Sequence, residues 1–176
     1  MGVDDLFDEV ADLYDPETGL VGRSLFLDRL MHGRERASRA DSLLGLILTE
    51  IDRFDSVPKE QSSALILASA RRVRSCTRRV DTAARLELAQ FGVIIEGARG
   101  RDHITEVANK IVHQFSQPFV LDDSRLEVTA SVGVAIHPWD ADDVEQLFWQ
   151  AESAMNKAQD LGGNSYRLYD ESHLSE

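Results

Sequence analysis

Five arginines, Arg71, Arg72, Arg74, Arg78 and Arg79, fall within nine residues of a chain whose net charge is −12. A guanidinium carries a fork of donors that fits phosphate oxygens two at a time. Asp81 follows three residues after Arg78 and supplies an acceptor beside that cluster. The plain alternative is a solvated helix face, with late arginines favoured by the helix dipole. Other chemistry is thin. The histidines, His32, His103, His113, His137 and His173, are scattered, and none pairs with another at metal-ligand spacing. The single cysteine, Cys76, forms no internal disulfide and no Cys-based zinc site, and reads as a small buried apolar residue. His137 beside Pro138 reads as a strand-end residue, and Trp139 and Trp149 as packing residues.

The elements that must position these residues follow from composition and periodicity. The chain has 176 residues, 43% of them apolar, which is one domain with a real core. The acidic balance argues against nucleic acid and against an anionic membrane as partners. The longest apolar run, Leu43 to Leu48, is far short of a membrane span. The start lacks a secretory signal, and the lone cysteine suits a reducing compartment, so a cytoplasmic location is expected.

Leu6, Phe7, Val10, Ala11 and Tyr14 at helical spacing, with acids between them, predict a first helix ended by Asp15-Pro16-Glu17-Thr18-Gly19. A second helix runs from about Ser24. Leu43 to Ile51 reads as a buried central strand closed by the acids Glu50 and Asp52. Ser62 or Ser63 is expected to cap a third helix with Ile66, Ala70, Val73, Thr77 and Val80 as its core stripe. Ala83 to Gln90 is rich in helix formers, yet Phe91 to Ile95 looks like a strand. Ile104, Val107, Ile111 and Phe115 mark a further helix. Phe119–Leu121 and Leu126–Ile136 read as paired strands, Asp142 to Leu161 as the last helix, and Tyr166–Tyr169 as a final strand. Strands and helices mix without strict alternation, so the fold class is α+β, a central sheet flanked by helices.

Several blocks, in order, resemble GGDEF domains. Asp15 to Phe26 is similar to their Asp-x-Leu-Thr-Gly-Leu-x-Asn-Arg opening, and Glu50-Ile51-Asp52-Arg53-Phe54 to their Asp-x-Asp-x-Phe strand end. Ser131-Val132-Gly133-Val134-Ala135, followed by Pro138, resembles their Ser-Ile-Gly-Ile-Ala strand. Ala151 to Met155, through Gly162-Gly163-Asn164, resembles their last helix and its stop. The resemblance covers about residues 13–170. The run Gln117 to Ala135 looks most like GGDEF domains that precede an EAL phosphodiesterase domain.

GGDEF domains are diguanylate cyclases, which join two GTP into cyclic di-GMP with one GTP on each subunit of a dimer. The resemblance implies a nucleotide-cyclase palm, ferredoxin-like, with a mainly antiparallel sheet. It places the signature on a hairpin at Glu87-Leu88-Ala89-Gln90-Phe91, against local helix propensity, and only the Phe survives. The turn lacks the Asn-Gly or Gly that tight hairpins prefer, so a hairpin wider or more mobile than in active family members is expected. Phosphoryl transfer of this kind rests on metal ions with hard oxygen ligands. Glu50 stands at one metal carboxylate as a vestige, while Ala89 at the other offers no ligand. Gln90 cannot ionise, and Glu87 and Leu88 add bulk where glycines let phosphates approach. Asp55 replaces a basic residue, a short Val57–Ser63 segment replaces the guanine loop, and Gln159 and Gly163 replace phosphate-binding Lys and Arg. The departures imply no metal, no cofactor and no cyclase activity.

The family's Arg-x-x-Asp inhibitory site, five residues before the signature, falls on Arg78-Arg79-Val80-Asp81. The resemblance implies cyclic di-GMP there, with guanine edges read by Arg78 and Asp81, phosphate charge from Arg74 and Arg79, and Lys110 as a second basic residue. The expected organisation is a connector helix over 1–14, a degenerate GGDEF domain over 15–170 and a tail over 171–176. Three functions compete. The first is an inactive regulatory, dimerisation or scaffold module of a longer protein, with a sensor upstream and an EAL domain downstream. The others are a cyclic di-GMP receptor, and an active cyclase with altered chemistry.

Overall fold

Leu43–Ile51 forms β1, buried along almost its whole length, at the centre of the main sheet. The computed structural model describes residues 13–169. In chain order the elements are α1 (Arg23–Ala40), β1, a 3-10 turn (Phe54–Ser56), α2 (Lys59–Ser75), β2 (Thr82–Glu87), β3 (Gln90–Ala98) and α3 (Arg101–Ser116). They continue with β4 (Phe119–Leu121), β5 (Ser124–Leu126), β6 (Ala130–His137), α4 (Val144–Asp160) and β7 (Ser165–Leu168). The five-stranded sheet has the order β2-β3-β1-β6-β7, antiparallel except where β7 joins β6 in parallel. This is the expected α+β palm.

Alternation along β1 splits the core in two. Ile47 and Ile51 face α2 and α3, packing with Leu65, Ile66, Ile104, Ile111 and Phe115. Leu44, Leu46 and Leu48 face α1 and α4, packing with Phe26, Leu30, Leu147 and Met155. Each fully buried Leu or Ile is worth about 2 kcal/mol, so both faces of the run favour a central strand. Gly133 on β6 lets α4 approach closely: a Cβ there would collide with the Ala151 carbonyl and the Met155 backbone.

Tertiary context overrides helix propensity at the signature. Thr82–Glu87 and Gln90–Ala98 are strands, because β3 must pair with β1 along its inner edge. The hairpin is not wide. Glu87 pairs with Gln90 across the two residues Leu88 and Ala89, and a register shift between Arg85 and Glu87 marks a bulge at Leu86. Neither turn residue takes a positive φ, so the bulge supplies twist that a left-handed turn would otherwise give.

Other expectations are corrected. α2 starts at Lys59 after Pro58, not at Ser62 or Ser63; proline presets its own φ and needs no amide partner there. It ends at Ser75, so Thr77 and Val80 leave its stripe and Val80 is exposed. Arg78 and Arg79 therefore lie in the turn after the helix, which closes when the Asp81 carboxylate accepts from the Arg78 backbone N–H at 2.9 Å. The strand expected from Leu126 is two: β5 pairs only with β4, while β6 starts at Ala130 in the main sheet. Trp139 and Trp149 are exposed rather than packed inside. The first-helix reading falls on residues 1–12, outside those described; Tyr14 itself bridges to Val21.

Candidate functional site

The signature hairpin, the end of β1 and the end of α4 meet. Glu50 on β1 is opposite Gln90 on β3 and Ser131 on β6. Its carboxylate accepts a hydrogen bond of 2.5 Å from the Gln159 side-chain amide on α4. The Ala89 carbonyl accepts from Ile51 N–H at 3.1 Å, which pins the turn to β1. Gln90 is buried, with its amide 4.0 Å from the Met155 sulfur, and Phe91 is fully buried in the core. Glu87 and Leu88 are exposed at the tip; Glu87 pairs with Arg23 at 3.6 Å, and Arg23 lies over the Phe148 ring.

At the signature positions beside Glu50 this arrangement offers no carboxylate, and the nearby Asp52 is engaged by Thr129, Ser131 and Asn164, where two metals and their phosphates would need several hard oxygens. Among the described residues, no group of three or more His, Cys, Asp or Glu is placed to hold a metal ion. A neutral amide donor occupies the Glu50 oxygen instead, and the neighbouring methyl of Ala89 and amide of Gln90 supply no charge.

Beyond Glu50, Asp52 fastens the loop that follows α4. It accepts from Thr129 and Ser131 hydroxyls at 2.6 Å each and from Asn164 N–H at 2.9 Å. Gly163 lies at φ +74°, and a Cβ there would stand 2.6 Å from an Asp52 oxygen. A side chain there would be strained by the left-handed backbone and would press on the Asp52 carboxylate, so this position favours glycine. Asp55 is exposed in the 3-10 turn.

The arginine cluster divides. Arg72 donates to the carbonyls of Gln114, Gln117 and Pro118 and stacks 3.5 Å from the centre of the Phe119 ring. It caps α3, and burial draws its pKa down. Arg78 turns onto Asp81 through two contacts of 3.2 Å and donates to the Glu96 carbonyl at 3.0 Å. The Asp81 side chain has no exposed surface, whereas that of Arg78 is 49% exposed. Arg74 donates to Thr77 and, at 3.5 Å, to the Asp81 carbonyl. Arg74, Arg78 and Asp81 are thus brought together, while Arg79 and Asp81 line a cleft beside α1. Lys110 is exposed on α3. Burial pushes the half-buried Cys76 thiol up in pKa, against the Ser75 hydrogen bond and the Lys110 charge.

The sequence reading missed Arg85. It is 10% exposed and donates to Glu17 at 2.6 Å, to Asp15 at 3.3 Å and to the Leu88 carbonyl at 2.9 Å. It therefore joins the Asp15–Gly19 turn to the signature hairpin. Burial raises the Asp15 pKa, but hydrogen bonds from Thr18 and the charge and hydrogen bond of Arg85 outweigh it, leaving a net lowering. The signal was Arg85 inside an apolar strand two residues before the signature, a place where a charge needs a partner.

Comparison with known proteins agrees with this geometry. The family described as "Diguanylate cyclase, GGDEF domain" matches residues 12–165. MucR of Pseudomonas aeruginosa, a bifunctional diguanylate cyclase/cyclic di-GMP phosphodiesterase, is 32% identical over 91% of this chain and 24% of its own length. NbdA of the same organism, a cyclic di-GMP phosphodiesterase, is 27% identical over 89% of this chain and 20% of its own. The chain thus spans about a quarter or less of these relatives. The GGDEF domain of TpbB (YfiN) from P. aeruginosa superposes with a TM-score of 0.87 at 25% identity, over 93% of this chain and 99% of that one. An EAL/GGDEF domain protein from M. capsulatus gives 0.71 at 32% identity, over 84% and 98%. The chain belongs to the GGDEF, or diguanylate cyclase, domain family.

Proposed function

We propose that this domain makes no cyclic di-GMP and serves as a regulatory, dimerisation or scaffold module of a larger cyclic di-GMP signalling protein. The observation that carries the reading is the Glu50 carboxylate held by Gln159, with Ala89 and Gln90 at the neighbouring signature positions. Catalysis of phosphoryl transfer is mostly positioning and charge neutralisation by metal. Here the surviving carboxylate accepts from a neutral amide, and neither Ala89 nor Gln90 supplies a second one. MucR and NbdA are proteins several times longer, each bearing a phosphodiesterase name, which supports an EAL domain downstream and further regions upstream in this protein too. A titration with Mn²⁺ followed by paramagnetic broadening tests the site. No selective broadening around Glu50 and Ala89 is expected; selective loss of those signals at stoichiometric metal overturns the reading.

A second reading, a cyclic di-GMP receptor, is favoured by the gathering of Arg74, Arg78 and Asp81 in one turn. Binding there requires Arg78 to leave Asp81 for the ligand, so both groups must exchange an existing hydrogen bond. Calorimetric titration with cyclic di-GMP tests it: Arg78→Ala weakens binding about tenfold or more if the site is used.

A further inference from the structure

The two edges of the main sheet differ. At β2, Val21 covers the edge: it bridges Ala84, donates to the Ala83 carbonyl at 3.3 Å and accepts from the Arg85 N–H at 2.9 Å. At the far end of the sheet, β7 pairs with β6 on one side, and among the described residues no strand pairs with its other side. An open strand edge is a row of backbone donors and acceptors that a further strand can join.

The side chains above that edge are those that fill protein interfaces. Trp149 on α4 is 50% exposed and meets Tyr169 edge to face, with ring centres 6.2 Å apart. Gly133 on β6 faces Ala151 and Met155 of α4, and its register partner on β7 is Arg167. Arg167 therefore stands on the α4 side of the sheet, two residues before Tyr169. Glu152 lies one turn along α4 from Trp149. Arg167 is exposed and Glu152 half-buried, and neither has an ion-pair partner among the described residues. Trp, Tyr and Arg are the residue types that carry most binding energy at interfaces. A free cation and a free anion on one patch suit a second copy of the same patch, because a two-fold axis brings each residue to its complement.

We propose that two copies of this chain associate through this face. A two-fold axis normal to the sheet sets β7 antiparallel to the partner's β7 and keeps both α4 helices on one side. The sheet then continues across the axis, Trp149 and Tyr169 pack over the junction, and Arg167 pairs with Glu152 of the partner subunit. The inference rests on the dimerisation role proposed above and gives it a surface; it does not rest on the loss of cyclase chemistry, which GTP turnover tests separately.

The test is sedimentation velocity of the 176-residue chain over a concentration series, with circular dichroism to show that each variant is folded. A reversible monomer–dimer equilibrium is expected. Trp149→Glu weakens it about tenfold or more. Arg167→Glu and Glu152→Arg each weaken it several-fold, and the double variant Glu152→Arg/Arg167→Glu restores it, because the exchanged charges again meet across the axis. Met31→Glu, at an exposed apolar residue on α1, leaves it unchanged. A monomer at every concentration, open-ended polymers, or a dimer of wild-type strength in Trp149→Glu would overturn the surface. A double variant as weak as the single ones would overturn the reciprocal pairing.

Discussion

Gln159 on the last helix donates to Glu50 on the central strand across 2.5 Å, and this contact ties the end of α4 to the end of β1. A carboxylate at a strand end needs a partner, and an amide provides one without charge.

Rebuilding the signature alone is expected to fail. In Ala89→Asp/Gln90→Glu, the new acid at 90 would sit directly across from Glu50 at a position that is 6% exposed. Two like charges facing each other across strands repel, and a buried unpaired carboxylate costs at least about 1–3 kcal/mol. The expected outcome is no turnover of GTP, with a lower denaturation midpoint than wild type. A variant that gains activity at unchanged stability would contradict this.

Arg85→Ala removes the side chain that links Asp15, Glu17 and the Leu88 carbonyl. Taking one partner from a largely buried pair leaves the other uncompensated, at about 3 kcal/mol. Urea denaturation should show that loss, together with faster amide exchange across Glu87 to Gln90. Arg85→Lys should recover only part of it, because one ammonium cannot serve carboxylates and carbonyl with a planar fork.

Gly163→Ala is expected to lose about 2 kcal/mol or more, measured by the same denaturation. The left-handed φ alone costs about 1–2 kcal/mol for an L side chain, and the new Cβ would displace Asp52 from Thr129, Ser131 and Asn164. An unchanged midpoint would contradict the clamp.

Acid stability should depend on Asp15. Its carboxyl is lowered below the ordinary value of about 3.9 in the folded state. Its contribution is therefore present above that value and disappears as pH falls through the lowered folded-state pKa. Wild type should exceed Asp15→Asn in stability near pH 6, and the gap should narrow below about pH 4. A gap that stays constant into acid would contradict the assignment.

The palm was largely legible because its signals are local and strong. Leu43 to Ile51 is apolar on both faces, and Ile104, Val107, Ile111 and Phe115 keep one helical stripe. The hairpin at Glu87 to Phe91 was legible only by resemblance, since its residues favour helix and only the need of β3 for partners holds them extended. The end of α2 was misplaced because Thr77 and Val80 continue an apolar period that the Asp81–Arg78 turn interrupts. Pairings such as Gln159 with Glu50 join residues 109 positions apart, and no periodicity carries that information.

The central claim is tested most directly by overnight incubation of the chain at high concentration with GTP and Mg²⁺ or Mn²⁺, followed by nucleotide chromatography. The account predicts a profile identical to the protein-free control. Cyclic di-GMP above that control, lost in Glu50→Ala, would contradict it.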